Sequence, residues 1–306
     1  MQIPPKGPIS LYEGVCKIMN VIRLNRIISS SIKKEIRIGE TIVVGNDDVL
    51  DLRGKTIQSY ADPVVLIQGS HWTIMNGKLR AIEGTLFECI RSSNGLVLNV
   101  WASGIRRSKD LFRCVGENSC YDTNVIGGEW SKPQGMTTPI VNINVSGPFY
   151  NSNNWTGLRM QTNGAPNAPV MVFKCSHTSN WIYGNTLHHI NFEIPNAGAI
   201  WMEGVHSTKL SQINIFDADL FGNITDNIIQ IRKTTGLKSV NTTIDGYMRL
   251  SGTMTAGKYD ISIPDSSHYQ SNLRVISVDG IDGALLVTQL PKWSDKTYIK
   301  ASITNG

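Results

Sequence analysis

Acidic side chains and histidines occur close together between residues 188 and 217. Glu193 and Asp217 each lie just beyond a short alternating apolar stretch, INF and INIF respectively. If these stretches are neighbouring strands about 4.8 Å apart, the two carboxyl groups fall within the roughly 5–9 Å that glycoside hydrolases use. Glu193 and Asp217 are therefore candidate catalytic residues. The alternative is structural, because turns that follow strands commonly carry acidic residues.

The histidine pair in LHHINF belongs to a repeated framework. LSQINI at 210–215 and LKSVNT at 237–242 keep the leucine, the branched residue and the asparagine, while the positions of His188 and His189 change to Ser-Gln and Lys-Ser. Consecutive strand residues point to opposite faces, so the two imidazoles cannot bind one metal ion together. The sequence therefore predicts no metal site, and no motif in it calls for a cofactor.

Seven tryptophans offer ring faces on which sugars could stack. Trp201 is the strongest candidate, because Lys174 and Gln230 occupy the equivalent outward positions in the adjacent strands of the repeat described next. Trp201, Lys174 and Gln230 are thus candidate glycan-binding residues, the alternative being that Trp201 packs between subunits. The remaining tryptophans expected at turns or in subunit contacts are Trp101, Trp130, Trp155 and Trp181.

These residues depend for their positions on a repeat of short strands. Seven triplets begin 22 to 32 residues apart, and each has apolar first and third residues around a mostly polar middle one. Period-two alternation places the outer residues on one face and the middle residue on the other. The triplets are VLI at 65–67, FEC at 87–89, FRC at 112–114, VNI at 141–143, FKC at 173–175, IWM at 200–202 and IQI at 229–231.

Asparagines form a second recurring position between these strands. Stacked asparagines can hydrogen-bond one coil to the next, and asparagine also tolerates the left-handed backbone of tight turns. The sequence predicts one such column, formed by Asn76, Asn99, Asn124, Asn191, Asn214 and Asn241, with Asn154 as a looser member.

A repeat of this length without helical periodicity indicates a solenoid of strands. Leucine-rich repeats need a consensus that is absent here, and propeller blades need about 40 residues or more. We predict an all-β, right-handed parallel β-helix of about eight coils over 36–250, whose stability comes from stacking inward residues such as Phe87, Phe112 and Phe173.

The two ends differ from this repeat. Residues 11–32 carry a weak heptad that includes Ile18, Ile22 and Ile32, which is compatible with a capping helix or with a short coiled coil. We therefore predict an N-terminal anchor or capping segment over 1–35. Residues 251–306 contain alternating strands and two Asp-Gly turns, which predict a small C-terminal antiparallel β domain that caps the solenoid or mediates trimerisation.

Composition excludes several classes of protein. Twenty-nine basic against 24 acidic residues give a net charge of +5, which is too small and too dispersed to indicate a nucleic-acid partner. The N-terminus does not resemble a secretory signal, and no apolar run reaches the roughly 18 residues of a membrane span. The five cysteines contain no CxxC pair, which favours free buried thiols and folding in a reducing cytoplasm.

The runs IRIGETIVVGNDDVLDLRGKTIQS, VVLIQGSHWTIMNGKLRA and LVLNVWASGI resemble the first coils of β-helical virion proteins of tailed bacteriophages. This group comprises tailspikes, appendages and receptor-binding proteins, and shares its coil pattern with pectate-lyase-like proteins. The resemblance implies a homotrimer located in the virion and assembled in the host cytoplasm. It also implies contact with other virion proteins through the N-terminal segment, and a host cell-surface polysaccharide as ligand.

Two functions are compatible with that resemblance. The first is a structural virion protein, a trimeric spike or appendage that binds host surface glycan or decorates the particle, and it is favoured because no strong catalytic motif is present. The alternative is a polysaccharide depolymerase of the same fold, acting as a glycosidase or a lyase. Fold alone does not decide between them.

Overall fold

The computed structural model describes residues 18–105, 109–132, 137–162, 168–193, 197–216, 223–233, 237–264, 273–279, 287–288 and 298–301, with side chains up to 275. Its first half contains one helix, α1 (Val21–Ser30), and fourteen strands. The strands are β1 (Ile18–Asn20), β2 (Glu35–Ile38), β3 (Thr41–Val44), β4 (Val49–Asp51), β5 (Thr56–Ser59), β6 (Val65–Ile67), β7 (Thr73–Ala81), β8 (Phe87–Cys89), β9 (Arg91–Ser93), β10 (Leu96–Gly104), β11 (Phe112–Gly116), β12 (Ser119–Tyr121), β13 (Asn124–Ile126) and β14 (Glu129–Lys132).

The described part of the second half consists of strands and their connections. The strands are β15 (Val141–Val145), β16 (Tyr150–Asn151), β17 (Asn154–Thr162), β18 (Met171–Cys175), β19 (Ile182–Tyr183), β20 (Thr186–Glu193), β21 (Ile200–Glu203), β22 (Val205–His206), β23 (Lys209–Phe216), β24 (Ile229–Ile231), β25 (Thr243–Arg249), β26 (Ile261–Ser262), β27 (Arg274–Asp279), β28 (Val287–Thr288) and β29 (Tyr298–Ala301). Among the described residues, no helix has the length and apolar character needed to cross a bilayer.

Two long parallel sheets define the architecture. The first has eleven strands in the order β1-β3-β6-β8-β11-β15-β18-β21-β24-β26-β28, and the second has thirteen, running from β2 to β29. Successive coils pair in parallel along each sheet, which is the topology of a parallel β-helix. Between residues 36 and 250 the first sheet receives eight strands, from β3 to β24, which confirms the predicted fold class and number of coils.

All seven predicted triplets lie in strands of the first sheet, but one was aligned two residues out of register. Phe112 pairs with Phe87 and with Val141, whereas Val141 pairs with Met171 instead of with Phe173. The alternation hid this error, because a shift of two residues keeps every side chain on the same face. Phe173 therefore still points inward and is 2% exposed.

The core contains aromatic rings stacked across neighbouring coils. Phe87, Phe112, Trp130 and Trp155 form one cluster with ring centroids 5.1 to 6.4 Å apart, and all four are fully buried. The expectation that Trp130 and Trp155 lie at turns or in subunit contacts is therefore wrong. Both tryptophans fall on inward positions of strands whose triplets the sequence pattern did not include.

Polar side chains of the asparagine column occupy three different structural positions. One bend carries residues with positive φ in seven coils: Asn76, Asn99, Gly127, Gly157, His189, Gln212 and Gly246. A second bend has positive φ at Asp47, His71, Asn94, Asp122, Ser152, Gly184, Ser207 and Asn241. The other asparagines lie on strands, where they form ladders: Asn154 donates to Asn124 at 3.0 Å and Asn214 donates to Asn191 at 2.9 Å. The two predicted roles of asparagine are both present, but they belong to different columns.

Helix α1 covers the first end of the core. Its Asn20 cap accepts a hydrogen bond from the backbone N–H of Arg23 at 2.9 Å, and its buried face consists of Val21, Leu24 and Ile28. Of the heptad positions, Ile22 lies on the exposed face of α1, whereas Ile18 belongs to β1 and Ile32 follows the helix; all three are 62% to 99% exposed. The helix thus packs with a face that the heptad does not mark, and the role of 1–35 as an anchor stays a prediction.

The strands after residue 250 continue the solenoid. β26 pairs with β24, β27 with β25, β28 with β26 and β29 with β27, all in parallel. The predicted antiparallel arrangement of 251–306 is therefore wrong for the described strands, because alternating apolar residues fit either strand direction. The role of this segment in capping or trimerisation stays a prediction.

The cysteines follow the sequence prediction where they are described. Cys89, Cys114, Cys120 and Cys175 are free and buried, and Cys16 lies outside the described residues. Burial raises the pKa of the Cys89 thiol well above its ordinary value, and the neighbouring Cys120 raises it further. These thiols fill space in the core between coils.

The stacked core yields a stability prediction. Phe112→Ala should reduce the free energy of unfolding by about 3–5 kcal/mol, because a fully buried ring contacting three aromatic neighbours is lost and a cavity remains. Urea unfolding monitored by circular dichroism measures this change. Tyr60→Ala is the matched control, because Tyr60 is 58% exposed and its truncation should leave the unfolding midpoint almost unchanged. Equal midpoint shifts in the two variants would contradict the core assignment.

Candidate functional site

Two of the three predicted glycan-binding residues lie side by side. Trp201 in β21 pairs with Gln230 in β24, and both line one cleft on the outer surface. Lys174 lies two residues further along its coil than the sequence alignment placed it. It therefore pairs with Glu203 and not with Trp201. Its ammonium lies 3.6 Å from the buried Glu203 carboxylate, and it is not part of the cleft lining. The predicted group of three is therefore reduced to Trp201 and Gln230.

The cleft beside Trp201 has a volume of about 380 Å³ and a strongly polar lining. Arg232, Asp226 and Lys258 contribute charged groups that the sequence reasoning missed. Arg232 could have been found, since it follows Gln230 by two residues and so shares its outward face. Asp226 and Lys258 lie in loops, where no periodic signal marks them. The complete lining is Pro169, Ala197, Trp201, Thr225, Asp226, Gln230, Arg232 and Lys258.

Asp226 holds two cations at the cleft. Its Oδ2 lies 2.8 Å from Nη2 of Arg232, and its Oδ1 lies 3.2 Å from Nζ of Lys258. Burial alone would raise the pKa of Asp226, but hydrogen bonds from Gln230, the Asn227 backbone and Lys258, together with the Arg232 charge, lower the pKa below its ordinary value. The carboxylate is therefore ionised at neutral pH and fixes both cations.

Arg232 also covers the indole ring of Trp201. Its guanidinium carbon lies 4.7 Å from the ring centroid, a cation–π contact, while its Nε donates to Oε1 of Gln230. A sugar cannot stack on that ring face while Arg232 stays in place. Nε1 of Trp201 is buried and has no hydrogen-bond acceptor among the described residues. Trp201 thus forms one wall of the cleft and packs against Arg232. It is not the open stacking platform that the sequence predicted.

The candidate catalytic residue Glu193 lies on the second sheet. It ends β20, and its carboxylate accepts a hydrogen bond from Nε of Arg159 at 2.7 Å. Arg159 also approaches Glu129 of the preceding strand, with 3.5 Å between Nη1 and Oε2. A cleft of about 270 Å³ adjoins this ion group and is lined by Arg159, Asn191, Glu193 and Phe216.

The predicted partner of Glu193 cannot be placed. Asp217 lies outside the described residues, although Phe216 before it pairs with Glu193. The structure instead supplies Glu129, which the sequence reasoning missed because Gly127 and Gly128 interrupt the alternation ahead of it. Glu129 and Glu193 share one guanidinium, so Arg159 brings these two carboxylates to the same part of the second sheet. In this arrangement both carboxylates accept hydrogen bonds from Arg159.

The surroundings of His188 and His189 indicate a structural role. Nδ1 of His188 lies 2.9 Å from Oγ of Ser211 on the adjacent strand. His189 has a φ of 52° at the first bend, and its ring is nearly perpendicular to that of His188. Within the described ranges, no three His, Cys, Asp or Glu side chains come together in a way that could hold a metal ion.

Comparison with known proteins gives structural neighbours only. No family model and no curated protein sequence matches the chain. The crystal structure of the Dettilon tailspike protein (gp208) aligns over 87% of this chain with a TM-score of 0.41 and 12% identity, and the chain spans 64% of that structure. The catalytic domain of a GH87 α-1,3-glucanase in complex with nigerose aligns over 96% of this chain and 69% of its own length, with a TM-score of 0.37 and 10% identity. By its own strand pairing, this chain is a parallel β-helix protein, the fold of both neighbours.

Proposed function

We propose that this protein is a structural virion protein of a tailed bacteriophage, a trimeric β-helical spike or appendage that binds a surface glycan of the host. The observation that carries the glycan-binding part is the cleft beside Trp201. Its volume of about 380 Å³ lies in the range of about 300–1,000 Å³ that small-ligand sites occupy. The virion part rests on the resemblance of the first coils to phage virion proteins.

The chemistry of the cleft suits a saccharide. Sugar hydroxyl groups both donate and accept hydrogen bonds, and the cleft offers an amide in Gln230, a carboxylate in Asp226 and cationic donors in Arg232 and Lys258. Trp201 and Gln230 are fixed by strand pairing, so their spacing is set before a ligand arrives. A preformed polar cleft on a rigid sheet binds with little loss of conformational freedom.

The N-terminal segment would attach the protein to the particle. Ile18, Ile22 and Ile32 are exposed apolar side chains in and beside α1, which covers the first end of the core. Exposed apolar side chains here support contact with another virion protein through residues 1–35, as the resemblance implies.

Truncation of Trp201 tests the glycan-binding proposal. Trp201→Ala should weaken binding to purified host surface polysaccharide by at least about tenfold, because the support for Arg232 and one wall of the cleft are both lost. Binding is measured by surface immobilisation of the polysaccharide, with circular dichroism confirming an unchanged fold. Tyr183→Ala is the matched control, because Tyr183 is 50% exposed and lies outside the cleft. Unchanged binding by a folded Trp201→Ala protein would contradict this site.

Depolymerase activity is the second candidate function, and the arrangement of Glu129, Arg159 and Glu193 favours it. We expect the double variant Glu129→Gln/Glu193→Gln to leave polysaccharide binding unchanged, because both residues lie on a different sheet from the Trp201 cleft. We also expect the unmodified protein to release no reducing ends or unsaturated sugars from the same polysaccharide. Release that disappears in the double variant would establish the depolymerase instead.

The trimer is also part of the proposal. On the first sheet, the outward Leu66 is half-buried and the ring of Trp201 is covered by Arg232. Apolar side chains form an outward column on three adjacent strands of the second sheet, where Leu98 pairs with Met75 and with Ile126. Ile126 is 39% exposed, and the other two are half-buried. Contiguous apolar side chains on an outer face mark an interaction surface.

Light scattering at micromolar concentration measures the oligomeric state. We expect a mass three times the 33.8 kDa of one chain. Ile126→Glu should shift this mass towards the monomer, since Ile126 is 39% exposed and a buried unpaired carboxylate disfavours association. Met248→Glu is the control, at a similarly exposed position elsewhere on the same sheet. A stable monomer of the unmodified protein would contradict the trimer.

A further inference from the structure

The cleft beside Trp201 presents cations to its ligand. Arg232 lies over the indole ring, so on that side the guanidinium, and not the ring face, is the group that a ligand meets. Lys258 reaches the same cleft from the turn before β26. These two positive charges face one carboxylate, Asp226, and no other acidic side chain lines the cleft in the part of the chain that the structure describes. The lining therefore has one positive charge in excess.

The described carboxylates of the flanking coils do not cancel this excess. Glu203 is buried beside Lys174, and Asp260 is paired with the buried Arg249 at 2.8 Å. Each of these acids has its own cation. Among the described residues, Asp226 is therefore the acid that balances the positive charge of Arg232 and Lys258 within the cleft.

The two cations also retain donor capacity. Arg232 uses Nε for Gln230 and Nη2 for Asp226, which leaves Nη1 without an acceptor among the described residues. Lys258 directs one hydrogen bond at Asp226 and carries three donors. A planar guanidinium with a neighbouring ammonium is well suited to a carboxylate, which it binds through charge-assisted hydrogen bonds.

We propose that the ligand of this cleft is an acidic saccharide, whose carboxylate binds Arg232 and Lys258 beside Asp226. This inference rests on the proposed glycan-binding function and adds the chemical class of the sugar. The cation–π contact on Trp201 and the hydrogen bond to Gln230 hold the guanidinium in position, so the ligand carboxylate meets a preorganised donor. A uronic acid or a sialic acid unit has the required group.

Pairs of polymers that differ in the carboxylate test the acidic-sugar inference separately from glycan binding, the function on which it rests. Polygalacturonate, hyaluronan and polysialic acid are each compared with a carboxyl-reduced form, which keeps the sugar chain and removes the charge. We expect at least one acidic polymer to bind about tenfold or more tightly than its reduced form, and its affinity to fall as salt rises. Equal affinity for the two forms would overturn the acidic-sugar assignment and leave glycan binding intact. Absence of binding to every polymer in both forms would overturn both.

Substitutions of Arg232 and of Asp226 test the two charged groups separately. Arg232→Gln should weaken binding of the acidic polymer by about ten- to hundredfold, because a charge-assisted hydrogen-bond donor is lost. It should weaken binding of the reduced polymer much less, because glutamine still donates hydrogen bonds to hydroxyl groups. Arg91→Gln is the control, since Arg91 is an exposed arginine outside the cleft. Equal losses in Arg232→Gln and Arg91→Gln would show that only overall charge matters.

Asp226→Asn gives the sharper test, because an acidic ligand and a neutral ligand predict opposite changes in affinity. The asparagine keeps an oxygen acceptor but removes the charge that competes with the ligand, so the acidic polymer should bind several-fold more tightly. If Asp226 instead accepts hydrogen bonds from a neutral sugar, the same variant should bind more weakly. Weaker binding in Asp226→Asn, with an unchanged circular dichroism spectrum, would overturn the inference.

Discussion

Parallel stacking of one coil on the next is the constraint on which the rest of the structure depends. Each strand satisfies its backbone groups with the strands above and below, and each inward side chain packs on its equivalents in the adjacent coils. Because the bends must also stack, certain positions require a positive φ in every coil, and Asn, Asp, Ser or Gly occupy most of them. Once register is fixed in this way, outward positions form columns whose residues are free to vary.

The stack ends would expose apolar side chains and unpaired backbone groups. At the first end α1 covers the core with Val21, Leu24 and Ile28. Towards the other end a fully buried ionic network joins Arg249 and Asp260, with the hydroxyl of Tyr247 also donating to the Asp260 carboxylate. Breaking one partner of such a pair would leave a buried charge uncompensated, which is strongly destabilising. The coils that contain β25 and β26 are therefore held by specific polar contacts as well as by apolar stacking.

Much of this fold could be predicted from the sequence, because period-two alternation and a near-constant repeat are both consequences of stacking. The sequence could not show that 251–306 continues the stack, since alternation does not distinguish parallel from antiparallel strands. It also could not align coils of unequal length, and the two-residue error at Phe173 wrongly placed Lys174 beside Trp201 in the candidate site. Arg232, which redefines the role of Trp201, lay on a predictable outward position, but its contact with the ring depends on side-chain geometry. Asp226 and Lys258 come from loops that carry no periodic signal.

The central claim is that the outer face of the first sheet, at the cleft beside Trp201, is where this protein recognises a glycan. The most direct test is a crystal structure of the protein with an oligosaccharide cut from a polymer that it binds. The account predicts electron density for the sugar between Arg232 and Lys258, with Trp201 still beneath the guanidinium. Density on the second sheet beside Glu193 and Arg159, with the Trp201 cleft occupied only by solvent, would contradict the account.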